Sequence, residues 1–71
     1  MDPDIDVLAE RYLSCSRAFI THPDPQSRSE KYQATGRLTQ AMRADGVRTF
    51  NYDHMVFLID RSGALHAIPR H

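Results

Sequence analysis

Residues 47–68 read VRTFNYDHMVFLIDRSGALHAI, and this stretch decides the fold. Apolar and polar side chains alternate over much of it, which is the period of a β-strand. Two short polar segments, Asp53-His54 and Arg61-Ser62-Gly63, break the pattern with residue types that favour turns. The stretch therefore predicts a three-stranded antiparallel meander, whose last strand is an edge strand that Pro69 ends. The strands are predicted over residues 47–52, 55–60 and 64–68.

The residues before the meander predict a first helix over about 3–21. Asp2 suits a helix cap and Pro3 suits the first helical position. Apolar side chains then recur at steps of three and four residues, which is the period of an amphipathic helix. The apolar stripe comprises Ile5, Leu8, Tyr12, Cys15 and Phe19, widened along one flank by Leu13 and Ile20.

A second helix is predicted over about 25–45. It begins either at Asp24, with Pro25 as its first residue, or at Ser27, with Glu30 completing a capping box. Gly46 can take the left-handed conformation that ends a helix. The apolar stripe of this helix comprises Ala34, Leu38, Ala41 and Met42, and Gly36 is expected to permit a close helix crossing.

The fold class predicted from these elements is α+β. The turn between the helices is about four residues long, so the helices are expected to form an antiparallel hairpin. The prediction is an antiparallel two-helix hairpin packed on a three-stranded antiparallel β-meander, in the order ααβββ. A chain of 71 residues supports one domain, here spanning residues 1–71.

Composition excludes several classes of protein. Nine basic and nine acidic side chains cancel, so the net charge gives no sign of a nucleic-acid or membrane binder. No apolar run approaches the roughly 18 residues that a membrane span needs. Cys15 is the single cysteine and no signal peptide is recognisable, which indicates a reducing, cytoplasmic setting.

The sequence contains no pattern that indicates catalysis or metal binding. Its histidines do not stand at ligand spacing from one another, and its three glycines are isolated rather than gathered in a phosphate loop. The aspartates fall in turns and helix starts, where aspartate is common for backbone reasons. We therefore expect no enzymatic activity, no metal and no cofactor.

The middle strand gives the main functional prediction, because Met55 to Ile59 is apolar on both sides. Two helices can cover one face of a three-stranded sheet, and the other face is then left apolar and open. We expect a second copy of the chain to cover it as a homodimer, although another protein is also a possible partner. The predicted interface comprises Val56, Leu58, Leu65 and Ala67.

The alternative prediction is a small nucleic-acid-binding regulator. Basic side chains decorate the second helix and the tip of the second hairpin, where they could contact phosphates. They are scattered around the helix rather than focused in one stripe, which favours the interaction module over this alternative. The residues concerned are Arg28, Lys31, Arg37, Arg43 and Arg61.

Overall fold

The computed structural model describes residues 4–70, which form two helices followed by three strands. The sheet order is β1-β2-β3, and both neighbouring pairs are antiparallel. The α+β class and the order ααβββ are therefore confirmed, and the two helices pack against each other. The elements are α1 (Ile5–Thr21), α2 (Pro25–Ala44), β1 (Thr49–Tyr52), β2 (Met55–Ile59) and β3 (Leu65–Pro69).

The first helix begins after an extended Asp4, and the predicted capping residues Asp2 and Pro3 lie outside the described residues. Leu8 and Ala9 are its buried residues. Most of the predicted stripe is confirmed, since the remaining members at positions 5, 12, 13, 15 and 19 are half-buried. Ile20 is the exception: it lies in the last turn of the helix and is 78% exposed.

The start of α2 is fixed by a reciprocal pair of hydrogen bonds. The backbone N–H of Ser27 donates to Asp24 Oδ1 at 2.8 Å, and the backbone N–H of Asp24 donates to Ser27 Oγ at 3.1 Å. Ser27 Oγ also donates to the carbonyl oxygen of His22 at 2.8 Å, which ties the helix start to the end of α1. The first of the two predicted starts is therefore correct, with Ser27 instead of Glu30 as the partner in the capping box.

The end of α2 is a Schellman turn centred on Gly46, which has a φ of +71°. The N–H of Gly46 donates to the carbonyl of Arg43 at 3.1 Å, and the N–H of Val47 donates to the carbonyl of Met42 at 2.8 Å. This pair of bonds satisfies the carbonyl groups at the helix end. After this turn the chain enters residues 47–48, the approach to β1.

The apolar stripe of α2 is confirmed, because Ala34, Leu38 and Met42 are buried and Ala41 is half-buried. The expected close helix crossing at Gly36 is wrong. That glycine is exposed, and a Cβ built on it meets nothing within 4 Å.

The contacts of the chain fall into two units, one that runs to Leu38 and one from Thr39 onward. In the first unit α1 packs against the first part of α2, and the Lys31 ammonium lies 5.4 Å from the centre of the Phe19 ring. The second unit contains the end of α2 and the whole sheet. The single domain over 1–71 stays a prediction.

In the first hairpin the predicted two-residue turn, Asp53-His54, is present, and it places Tyr52 opposite Met55 and Phe50 opposite Phe57. The register of the second hairpin differs by one residue from the one that the predicted interface requires. Ala67 lies opposite Phe57, and Leu65 lies opposite Ile59. Directly paired residues share a face of the sheet, so the prediction that Leu65 and Ala67 lie on the face of Val56 and Leu58 is wrong.

The physical reason is the pairing across the second turn, where the predicted loop of residues 61–63 places Asp60 opposite Ala64. The N–H of Asp60 donates to the carbonyl of Ala64 at 3.0 Å, which leaves a loop of residues 61–63. The N–H of Gly63 donates back to the carbonyl of Asp60 at 3.0 Å, and Gly63 has a φ of +90°. Loops of this type combine a tight turn with a glycine bulge. An odd number of loop residues moves every side chain of β3 to the opposite face from an even number.

Candidate functional site

One face of the sheet is covered and the other is open. On the covered sheet face Phe57 is fully buried, and its ring stacks on that of Phe50 with centres 5.1 Å apart. On the opposite side Val56 and Leu58 are half-buried, and Ile68 is 48% exposed. We call this side the open sheet face; it carries Thr49, Asn51, Val56, Leu58, His66 and Ile68.

The open sheet face contains half of the predicted interface. Val56 and Leu58 lie on it, whereas Leu65 and Ala67 lie on the covered sheet face. Ile68 was missed, although it lies directly opposite Val56. The signal that could have identified it is the segment Asp60-Arg61-Ser62-Gly63, whose glycine at the fourth position is typical of a three-residue hairpin loop.

The carboxylate of Asp60 organises the second hairpin. Its Oδ1 accepts hydrogen bonds from the backbone N–H of Ser62 at 2.8 Å, from Ser62 Oγ at 2.6 Å and from the backbone N–H of Ala64 at 3.0 Å. Its Oδ2 lies 2.7 Å from Nε2 of His66. The Ser62 hydroxyl, followed by His66 and the Ala64 amide, holds the pKa of Asp60 well below its usual range.

Serine, histidine and aspartate meet here, but not in the order that nucleophilic catalysis needs. In a catalytic triad the imidazole lies between the hydroxyl and the carboxylate, so that it can take the hydroxyl proton. Here Asp60 lies in the middle, and both Ser62 and His66 contact it separately. The arrangement stabilises a turn and does not activate the Ser62 hydroxyl.

The basic residues proposed for nucleic-acid binding are divided between several environments. The Arg28 guanidinium lies 5.6 Å from the centre of the Tyr32 ring, Lys31 lies over Phe19, and the side chain of Arg37 is exposed. The charged groups of Arg28 and Lys31 therefore make local contacts with aromatic rings.

Arg43 and Arg61, by contrast, line the same cleft together with Arg48. This cleft has a volume of about 390 Å³ and lies between the end of α2, the approach to β1 and the second hairpin turn. We call it the arginine cleft.

Another sizeable concavity lies beside the turn between the helices. It has a volume of about 610 Å³ and an open shape, and Phe19, Tyr32 and the two turn prolines line it. Tyr32 is 64% exposed there. Its other lining residues are polar or charged: Asp24, Arg28, Ser29 and Gln33. Its open shape differs from the enclosed clefts that bury most of a small ligand.

Among residues 4–70, no three histidine, cysteine or acidic side chains are gathered closely enough to hold a metal ion. Within that same range, neither helix is long and apolar enough to cross a bilayer. No protein-family model matches the chain, and no curated protein or solved structure matches it either.

Proposed function

We propose that the chain is a small, non-catalytic interaction module that self-associates through its open sheet face. The observation that carries this proposal is a continuous apolar strip on that face. Val56 and Ile68 are directly paired across β2 and β3, and Leu58 lies two residues along β2 on the same side. The middle strand is therefore apolar on both sides, while only the covered sheet face contains a fully buried side chain.

A second copy of the chain is the partner that fits this strip. None of the six side chains of the open sheet face is aspartate, glutamate, lysine or arginine. Depletion of charge at the centre and polar groups at the margin are typical of interface cores. The net charge of zero adds no long-range repulsion between copies.

Face-to-face packing of two sheets is a standard arrangement in which inner side chains interdigitate. A two-fold dimer uses the same patch on both copies, so the strip needs no complementary surface elsewhere. The association also adds buried apolar area to a chain of 71 residues, whose own core is small. The lone, half-buried Cys15 is consistent with a cytoplasmic location for this module.

Sedimentation velocity over a range of protein concentrations tests the proposal. We expect a dimer at high micromolar concentration, and we expect Leu58→Glu and Ile68→Glu to sediment as folded monomers because each places a charge in the strip. Ile20→Glu is the matched control, since Ile20 is more exposed than Ile68 but lies on α1. This control variant should keep the mass of the original protein.

Two outcomes contradict the proposal. One is a monomeric original protein at several hundred micromolar. The other is a dimer that survives both Leu58→Glu and Ile68→Glu with unchanged circular dichroism. The second outcome would leave self-association intact but would move the interface away from the open sheet face.

A further inference from the structure

Three arginines from three different parts of the chain line the arginine cleft. Arg43 comes from the last turn of α2, Arg48 from the approach to β1, and Arg61 from the turn between β2 and β3. The Schellman turn at Gly46 and the three-residue hairpin loop create this convergence. None of the three arginines belongs to the open sheet face.

The positive charge of the cleft is not neutralised by the protein. One carboxylate, that of Asp60, lines it, and this carboxylate already accepts hydrogen bonds from Ser62 and Ala64 and contacts His66. Within the described residues 4–70, none of the three arginines forms an ion pair. The cleft therefore combines three cations with one anion whose bonding capacity is largely used.

The Arg43 side chain lies against the hairpin turn. Its Nη2 donates a weak hydrogen bond to the carbonyl oxygen of Gly63 at 3.4 Å. The guanidinium fills the space in which a Cβ on residue 63 would stand. A guanidinium has five N–H donors in a planar fork, so this one contact leaves donors for a ligand.

We propose that the arginine cleft binds the phosphate groups of a small molecule. Arginine is the side chain best matched to phosphate, because its fork donates two parallel hydrogen bonds to two phosphate oxygens. The excess of two positive charges in the cleft suits a multiply charged anion better than a single carboxylate. Val47 and Ile59 also line the cleft and give the organic part of such a ligand an apolar wall.

The size of the cleft favours a small molecule over a nucleic acid. Its volume of about 390 Å³ is in the range of small-ligand pockets. A nucleic acid needs a longer basic surface. Of the other three basic residues considered above, Arg28 and Lys31 lie over aromatic rings.

A titration of the full chain with sodium pyrophosphate, followed through backbone amide resonances, tests this assignment. Sodium chloride at matched ionic strength is the reference. We expect saturable shifts at the amides of Gly46, Ser62 and Gly63, which line the cleft. Arg48→Gln and Arg61→Gln should each weaken binding about tenfold, as expected for the loss of a charged hydrogen bond. Arg37→Gln is the matched control and should bind as the original protein does.

Four results would overturn the proposal. Shifts that never saturate, or that sodium chloride reproduces, would show that no site exists. Equal affinity for malonate would show that the cleft does not select phosphate. Tighter binding of a short DNA duplex that depends on Arg37 as well as Arg43 would replace a small-molecule site with a nucleic-acid surface. Unchanged affinity in Arg48→Gln and Arg61→Gln would place the ligand elsewhere.

Discussion

At the scale of single residues, Asp60 shows what a sequence pattern can and cannot reveal. Its position before Arg61-Ser62-Gly63 predicts a turn residue, and the structure confirms that role. Its contact with His66 depends on the register of β3, and this register was predicted incorrectly. A one-residue change in pairing is enough to move a histidine from one face to the other.

The hydrogen bonds of Asp60 predict a specific dependence of stability on pH. The folded pKa of this carboxyl lies below the value of about 3.9 expected for an unfolded chain. The ionised form therefore stabilises the fold above that pH, and its contribution is lost as the pH falls through the folded pKa. Asp60→Asn should unfold at lower urea concentration than the original protein at pH 7, and the difference should narrow below about pH 4.

Asp45→Asn is the control for this experiment. Asp45 is exposed, and within the described chain its carboxylate forms no hydrogen bond. The midpoint of urea unfolding should be measured for all three proteins between pH 7 and pH 2.5. A constant difference between Asp60→Asn and the original protein over this range would show that the carboxylate charge does not stabilise the hairpin.

At the scale of elements, the sequence predicts which segments form helices and strands better than it predicts how the strands pair. Both helices follow from apolar periodicity and from caps that can be read locally, such as Asp24-Pro25 and Asp45-Gly46. The pairing of the first hairpin follows from its two-residue turn, Asp53-His54, because such a turn places Tyr52 opposite Met55. The predicted loop of residues 61–63 is also the observed one, but the predicted faces of β3 did not follow the pairing of Asp60 with Ala64 that this loop produces.

The same limit explains why the candidate sites were only partly predicted. Val56 and Leu58 were found because they belong to the middle strand, where both faces are apolar whatever the register. Ile68 was missed because the prediction assigned the side chains of β3 to the wrong faces of the sheet. The arginine cleft joins residues through two turns, and no periodic pattern in the sequence reports such a convergence.

Replacing two of the glycines by alanine should change the stability of the protein in opposite directions. Gly63→Ala should destabilise the protein by about 1–2 kcal/mol, because an L-residue is strained at positive φ. The added methyl group would also displace the Arg43 guanidinium. Gly36→Ala should stabilise it by up to about 1 kcal/mol, because Gly36 lies within α2 and its surroundings are open.

Urea denaturation of both variants at neutral pH measures these changes. The comparison is internally controlled, because each substitution adds the same methyl group and removes the same backbone freedom from the unfolded chain. A loss of stability in Gly36→Ala would mean that α2 packs more closely at that point than the structure shows. Equal effects at both positions would argue against the left-handed conformation of Gly63.

At the scale of the whole molecule, the proposed self-association through the open sheet face would link stability to protein concentration. An assembly that forms only from folded chains shifts the unfolding equilibrium by mass action. For a dimer of a chain of 71 residues, the unfolding enthalpy expected from chain length gives a rise in Tm of about 5 °C for each tenfold increase in concentration. Calorimetry or circular dichroism at three concentrations measures this slope.

Ile68→Glu should abolish this slope, because its charge prevents the two sheets from meeting. Ile20→Glu should retain the slope, since that residue lies on α1 and not on the open sheet face. The slope separates assembly from folding: a variant that only weakened the fold would lower Tm by the same amount at every concentration. A Tm independent of concentration in the original protein would mean that the chain folds alone and that Val56, Leu58 and Ile68 are tolerated in water.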